Sequence, residues 1–199
     1  MVAPRREDYT NEALEAIERA SAWASDMRNA QLDAEHLALG MLSIKEGMAS
    51  KIFDFIGVDV GEMKKDLEFS LKKLPTLGQA QSSTRTYYIE PRLKKVLDEA
   101  KEEKIRLNDE FVAIEHLLKG LSILGDGEID RLFKLNNITM ERIYHALKEI
   151  RGSQRVKDQG AEKKYQAFCQ KKGLGILIKN ESALASGISS PKAMIPAGL

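Results

Sequence analysis

The chain has 199 residues and a formal net charge of +1, with 43% hydrophobic and 31% charged residues. This balance is typical of a soluble globular protein, and no apolar run approaches the roughly 18 residues that a membrane span needs. The small net charge argues against a nucleic-acid binder that relies on a basic field, and the polar start from Met1 to Tyr9 argues against a secretory signal. The single cysteine, Cys169, excludes an internal disulfide and is typical of a reducing compartment, so we expect a cytoplasmic protein.

The first part of the chain predicts four helices. Apolar residues recur there at spacings of three and four, and a residue suited to start a helix precedes each segment. The first helix is expected to run to about Met27, and Gly57 is expected to end the third in a left-handed conformation. The four predicted starts are Thr10, Asp33, Gly47 and Asp59.

The second part of the chain repeats the first. When the chain is laid over itself, positions 10–71 overlay positions 90–151 without a gap. Pro91 suits the first turn of a helix, Thr139 stands where Asp59 stood, and Gly152 can end the last helix. We therefore predict an all-α fold of two tandem four-helix pseudo-repeats. The identical pairs are Ala20/Ala100, Glu35/Glu115, His36/His116, Leu37/Leu117, Gly40/Gly120, Gly47/Gly127, Phe53/Phe133 and Leu67/Leu147.

The chain outside the repeats is polar or irregular. Residues 75–88 form a linker that we expect to be mobile, and Tyr87-Tyr88-Ile89 at its end is the only short strand-like run. Residues 152–199 hold eight Lys or Arg and three Asp or Glu, so the tail is basic. The predicted organisation is an N-terminal arm at 1–8, repeats at 9–74 and 89–152, a connector at 153–168 and a divergent, disordered tail at 169–199.

The Glu-His-Leu triplets at 35–37 and 115–117 leave three interpretations open. In the first, Glu stabilises the positive end of a helix and His packs beneath it. In the second, Glu binds a cationic group, and in the third the pair contributes to a metal site. A zinc site needs three or four converging ligands, which this spacing does not supply, so we predict no metal. Without a Gly-x-Ser-x-Gly elbow or a phosphate loop, we also predict no catalytic residue and no cofactor.

Several motifs together resemble the N-terminal repeat domain of the Clp ATPase family. They are Tyr9-Thr10-Asn11-Glu12, Leu32-Asp33-Ala34-Glu35-His36-Leu37, Gly57-Val58 and Glu115-His116-Leu117. Residues 151–162 and the Tyr-Gln-Ala segment at 165–167 resemble the connector of the ClpB disaggregase branch. The resemblance covers residues 9–168 and implies a non-enzymatic, mobile domain. Such a domain captures unfolded or aggregated polypeptides, or adaptor proteins, for a Clp AAA+ ring.

The resemblance also implies candidate substrate-binding residues. ClpB-type members use a Thr at the start of helix one, and an Asp and a Glu near helix two of the second repeat, which correspond to Thr10, Asp109 and Glu115. ClpC-type members bind phosphorylated arginine through the Glu of each Glu-His pair, which corresponds to Glu35 and Glu115. That branch has Gly-Thr before each Glu; this chain has Asp33-Ala34 and Ala113-Ile114, which argues against phosphoarginine binding.

We therefore predict a ClpB-like polypeptide-binding module, monomeric in isolation, with no nucleic-acid or membrane partner. Two alternatives stay open: a stand-alone regulator that competes with a complete Clp chaperone, and an inert truncated remnant. The family pattern stops after about Phe168, and a shifted reading frame is one origin that we consider for the tail.

Overall fold

The computed structural model describes residues 5–76, 88–152 and 154–165. The predicted tail at 169–199 and most of the predicted linker lie outside these residues. Within the described part of the chain, no helix is long and apolar enough to span a membrane. The helices are α1 (Asn11–Asp26), α2 (Ala34–Leu42), α3 (Met48–Phe55), α4 (Val60–Leu71), α5 (Pro91–Arg106), α6 (Ile114–Ser122), α7 (Gly127–Leu135) and α8 (Met140–Arg151).

The two sets of four helices follow the overlay found in the sequence. In the pairs α1/α5, α2/α6 and α4/α8, the bounds of the two helices fall at equivalent positions, and α7 begins one position earlier than α3 predicts. The all-α pseudo-repeat is therefore confirmed. Three predicted helix starts are capped as expected: the side chains of Thr10, Asp59 and Thr139 accept from the backbone N–H three positions later. Gly57 adopts a φ of 76°, as predicted for the end of α3.

Short strands connect the two repeats reciprocally. Strand β1 (Gln31–Leu32), just before α2, pairs in parallel with β2 (Tyr88–Ile89), just before α5, and Leu32 faces Ile89. A bridge between Tyr9 and Val112, which are the repeat equivalents of Ile89 and Leu32, makes this contact in the opposite sense. Each repeat thus lends the segment before its first helix to the other repeat. Tyr88 and Ile89 were predicted to be strand-like, whereas β1 was not predicted.

The core runs through both repeats without a break. Helix α2 of the first repeat contacts α7 of the second, and α3 contacts α6 and α8. Phe53 and Phe133, which occupy equivalent positions, meet edge to face with ring centroids 6.1 Å apart. The apolar cavity beside them has a volume of only about 10 Å³, so the contact between the repeats is filled by side chains.

Two equivalent glycines allow the first two helices of each repeat to approach closely. A Cβ on Gly40 would lie 2.4 Å from the Ala16 carbonyl oxygen, and a Cβ on Gly120 would lie 2.3 Å from the Val96 carbonyl oxygen. Those neighbours are backbone atoms of α1 and α5, which a side-chain rotation cannot move. Glycine is therefore required where α2 crosses α1 and where α6 crosses α5.

The described part of the connector packs against the repeats. Residues 154–160 run without regular structure and residues 161–165 are helical. Val156 is fully buried, and Ala161, Glu162 and Tyr165 are each at most 2% exposed. The segment therefore belongs to the folded body, although its sequence is polar and was expected only to link domains.

Candidate functional site

Three of the predicted substrate-binding residues lie around one site. Thr10 starts α1, Asp109 follows α5 and Glu115 lies in the first turn of α6. All three are buried, with Asp109 the most exposed at 7%. They contact Arg151 at the end of α8 and Glu162 of the connector. We call these five residues the connector cluster.

Asp109 makes the most contacts in this cluster. Its Oδ1 accepts the backbone N–H of Val156 at 2.7 Å, and its Oδ2 accepts from His116 Nε2 at 3.2 Å and Arg151 Nη1 at 3.3 Å. Burial alone would raise the pKa of Asp109, but the hydrogen bonds from His116 and Val156 and the charge of Arg151 lower it overall. Asp109 is therefore an ionised side chain that connects the second repeat to the connector.

Glu115 binds a guanidinium group inside the chain. Its Oε1 accepts from Arg151 Nη1 at 2.5 Å, while its Oε2 is buried without a hydrogen-bond partner. The Arg151 side chain, 11% exposed, lies beside Asp109, and although its partial burial opposes its charge, the two carboxylates raise the pKa of Arg151. The site thus holds a largely enclosed cation with one carboxylate oxygen still free to accept a hydrogen bond.

Thr10 and Glu162 join the start of the chain to the connector. The Thr10 hydroxyl caps α1 by accepting from Ala13 N–H at 3.2 Å and donates to Glu162 Oε1 at 2.5 Å. Burial and the nearby charge of Glu115 raise the pKa of Glu162 to about 8, and the Thr10 hydrogen bond offsets only part of this rise. The Glu162 carboxyl therefore lies in an environment that disfavours its charged form.

The backbone of the connector is held by hydrogen bonds from both repeats. Its Val156 carbonyl accepts the Glu110 N–H at 2.8 Å, and its Gln159 carbonyl accepts the Asn11 N–H at 2.7 Å. These two donors belong to different repeats, and the Val156 side chain is fully buried. The site therefore combines backbone donors with an apolar contact, a pairing that is typical of peptide recognition.

The fourth predicted residue, Glu35, lies at a different site. Its two carboxylate oxygens accept from Arg92 Nη1 and Nη2, each at 2.9 Å, and Oε1 also accepts the Glu128 N–H at 3.1 Å. Arg92 also binds Asp33 at 2.7 Å and Asp126 at 2.9 Å. Burial alone would raise the pKa of Glu35, but Arg92 lowers it overall. This group, which we call the Arg92 bridge, joins α2 of the first repeat to α5 and α7 of the second.

The Glu-His pairs thus combine two of the three interpretations left open by the sequence. Each Glu binds an arginine of the same chain, and each His is fully buried. His36 Nδ1 accepts the Asp33 N–H at 3.1 Å, and His116 Nδ1 accepts the Ala113 N–H at 2.8 Å, so both imidazoles cap the helices that carry them. Within the described ranges no group of three possible metal ligands converges.

Sequence analysis did not identify Arg92, Arg151, Val156 and Glu162 as parts of these sites. The repeat overlay held one usable signal, because Glu12 of the first repeat corresponds to Arg92 of the second. The Glu12 carboxylate accepts the Met48 N–H at the start of α3. Arg92 instead binds Glu35, and it is the Glu35 carboxylate that accepts the Glu128 N–H at the start of α7. The opposite charges of Glu12 and Arg92 at equivalent positions therefore indicated that these two residues bind different partners.

The sequence comparisons place this architecture in a known family. The model of the Clp repeat (R) N-terminal domain matches residues 8–136. The chain therefore belongs to the Clp N-terminal domain family, in agreement with the tandem four-helix fold.

Among curated relatives, the chain is similar to the chaperone protein ClpB 1 of Parasynechococcus marenigrum (strain WH8102), at 34% identity over 168 residues. That match covers 84% of this chain and 19% of the relative. It is also similar to the mitochondrial chaperone protein ClpB4 of Arabidopsis thaliana, at 30% identity over 81% of this chain and 16% of the relative. The chain thus spans less than a fifth of the length of these relatives.

Among solved structures, the fold is similar to the Hsp104 N-terminal domain from Candida albicans, with a TM-score of 0.66 and 24% identity. That match covers 78% of this chain and 99% of the solved chain. At this identity the likeness shows the fold.

Proposed function

We propose that this chain is a non-enzymatic module that binds unfolded or aggregated polypeptide, as the N-terminal domain of a ClpB-like chaperone. The proposal is supported by the family match and by relatives that are named chaperones. Thr10, Asp109 and Glu115 are proposed to organise the binding surface. Adaptor proteins and a Clp AAA+ ring are further proposed partners of the same monomeric module.

The observation that carries the proposal is the connector segment already bound at the connector cluster. Backbone N–H groups of Asn11 and Glu110 hold that segment through its carbonyl oxygens, and every polypeptide carries such oxygens. A binding mode of this kind does not depend on side-chain sequence. It therefore suits a protein whose clients share only an exposed backbone.

The charges at this site add selectivity to that general mode. Glu115 has a buried Oε2 without a hydrogen-bond partner, so a client donor could be accommodated there. Glu35 contributes differently in the proposal, because its carboxylate is fully engaged by Arg92 and the Glu128 N–H. We propose that Glu35 supports binding by holding the two repeats in their relative position.

A titration of the full chain tests the proposed function. We would follow the backbone amide resonances by NMR while adding reduced, carboxymethylated lactalbumin, which stays unfolded. The expected shifts are localised at residues 9–11 and 109–113. Shifts confined to other surfaces would favour a different docking site, and no shifts at high concentration would refute polypeptide capture.

A matched pair of variants tests the role of Glu115. Glu115→Gln removes the charge but keeps the size, and we expect it to weaken lactalbumin binding by about fivefold, equivalent to about 1 kcal/mol. Glu102→Gln makes the same chemical change at an exposed position on α5 and is the control. Coincident binding curves for the two variants would remove Glu115 from the proposed site.

A further inference from the structure

We propose that residues 154–165 are a built-in competitor that occupies the polypeptide site until a client segment displaces them. This inference rests on the proposed function, because it identifies what regulates the same surface. The bound segment also indicates which client sequences fit best: a segment with a β-branched residue, followed after a turn, six positions later, by a basic residue.

The segment uses contacts that the backbone of a client with a similar turn could replace. Glu110 N–H and Asn11 N–H bind its carbonyl oxygens at 2.8 and 2.7 Å, and Asp109 accepts its Val156 N–H at 2.7 Å. All three bonds involve backbone atoms of the segment. A client backbone can therefore form the same bonds without any change in the repeats.

One side chain gives the segment its position. Val156 is fully buried, whereas its neighbours Arg155 and Lys157 are exposed. A β-branched side chain thus fills a specific pocket beside the backbone donors. Burying this apolar side chain favours docking, and a client with a better-fitting side chain at the same position can exceed that contribution.

The segment fits its site imperfectly. Glu162 places a buried carboxyl near Glu115 and Glu12, and burial together with the charges of these two acids raises its pKa. The nearby Tyr165 hydroxyl is buried without a hydrogen-bond partner. Both features oppose docking, so the segment is held less firmly than its apolar contacts alone would allow.

The same misfit defines the preferred client. A Lys or Arg at the position of Glu162 would lie near Glu115, whose Oε2 lacks a hydrogen-bond partner, and near the carboxylate of Glu12. Such a side chain would replace a like-charge contact with an opposite-charge one. The spacing between the β-branched and the basic residue of the client follows from Val156 and Glu162, which lie six positions apart in the segment.

The test compares three full-length proteins: the wild type, Val156→Asp and Gln154→Asp. Both variants replace a neutral residue with Asp in the same segment, but Val156 is buried and Gln154 is exposed. We expect Val156→Asp to bind carboxymethylated lactalbumin about tenfold more tightly than the wild type, because the site is no longer occupied. Gln154→Asp is expected to match the wild type.

Two synthetic peptides test the client preference on the Val156→Asp protein. One has the sequence of residues 154–165, and the other carries Lys in place of Glu at the position of Glu162. We expect both peptides to bind and the Lys peptide to bind several-fold more tightly. Equal affinity of the two peptides would overturn the basic-residue preference.

The outcomes separate the two proposals. If all three proteins bind lactalbumin equally, the competitor role is wrong while polypeptide capture stands. If none of them binds, polypeptide capture fails and the competitor role fails with it. Should Val156→Asp lose its native amide spectrum, Ala161→Asp replaces it, because Ala161 is also buried in the segment at 2% exposure.

Discussion

Replacing Arg92 with Ala would test how the two repeats are held together. In the wild type the Arg92 guanidinium binds Glu35 through two hydrogen bonds and also contacts Asp33 and Asp126. The variant removes the only cation that binds the Glu35 carboxylate among the described residues and leaves this side chain, 7% exposed, with backbone partners such as the Glu128 N–H.

The expected cost follows from the burial of each contact. Breaking a buried ion pair by removing one partner typically costs about 3–5 kcal/mol, because the remaining charge stays buried. The contact with Asp126, whose side chain is 63% exposed, adds at most about 1 kcal/mol. Since Arg92 is itself 26% exposed, we expect a loss near the lower limit, about 3 kcal/mol.

The pH dependence of this loss is a sharper test than its size. Arg92 lowers the pKa of Glu35 in the wild type, so this contribution to stability is present above the unfolded pKa and is lost as the pH falls. Without Arg92, burial raises the pKa of Glu35 instead, and protonation on acidification relieves the penalty. The difference in stability between the two proteins should therefore be largest near pH 7 and shrink towards pH 4.

Urea unfolding at both pH values provides the measurement, with Glu35→Gln added to the Arg92→Ala background as a rescue. Arg131→Ala is the control, because Arg131 also pairs with two acids but at an exposed site, and its unfolding midpoint should not change. A loss below about 1 kcal/mol, the scale of an exposed ion pair, or an equal difference at pH 7 and pH 4, would refute the role assigned to the Arg92 bridge.

Three further predictions concern single positions. Gly120→Ala should destabilise the fold by about 1–3 kcal/mol in urea unfolding, because its Cβ would lie 2.3 Å from the Val96 carbonyl oxygen. Docking of the connector should weaken as the pH rises from about 4.5 to about 8. The Glu162 carboxyl has a pKa of about 8 when docked, whereas in the undocked segment it ionises near pH 4.5, so docking is favoured while the carboxyl is protonated. Hydrogen exchange of the Val156 amide measures this change. Burial lowers the pKa of His36 to about 4, so its contribution to stability is present above about pH 6.5 and is lost as the pH falls from there to 4. Acid unfolding of His36→Gln measures this, because the stability of the variant should decline less steeply with falling pH than that of the wild type.

Each of these has a result that would contradict it. An unchanged unfolding midpoint for Gly120→Ala would mean that α6 can move away from α5. Exchange of the Val156 amide that keeps the same protection factor across this pH range would remove Glu162 from control of docking. Parallel acid limbs for the wild type and the His36 variant would show that other groups dominate acid unfolding.

The sequence predicted the features that depend on near neighbours. A cap such as Thr10 or Thr139 bonds to a backbone group three positions away, so the residue type and its position contain most of the information. The internal repeat then allowed the helices assigned in one half of the chain to be assigned at the equivalent positions of the other half. That is why the helix boundaries agree so closely with the expectation.

Features that join distant parts of the chain were not predicted. Thr10 and Glu162 lie 152 positions apart, and nothing in either local sequence indicates their hydrogen bond. Strand β1 has only two residues, too few for an alternating pattern, and it forms because β2 of the other repeat supplies its partner. The substrate-binding role of Thr10, Asp109, Glu115 and Glu35 stays a prediction, although three of them share one site.

The reciprocal strand pairing has a consequence for how the molecule comes apart. Leu32 pairs with Ile89 and Tyr9 pairs with Val112, so removing either repeat would leave both short ladders without a partner. Neither half is a complete folding unit, and the two should melt in one cooperative transition with no half-folded species. A Clp N-terminal domain built in this way resists mechanical unravelling from one end, because a pull on the first strand is opposed by the hydrogen bonds of the second repeat.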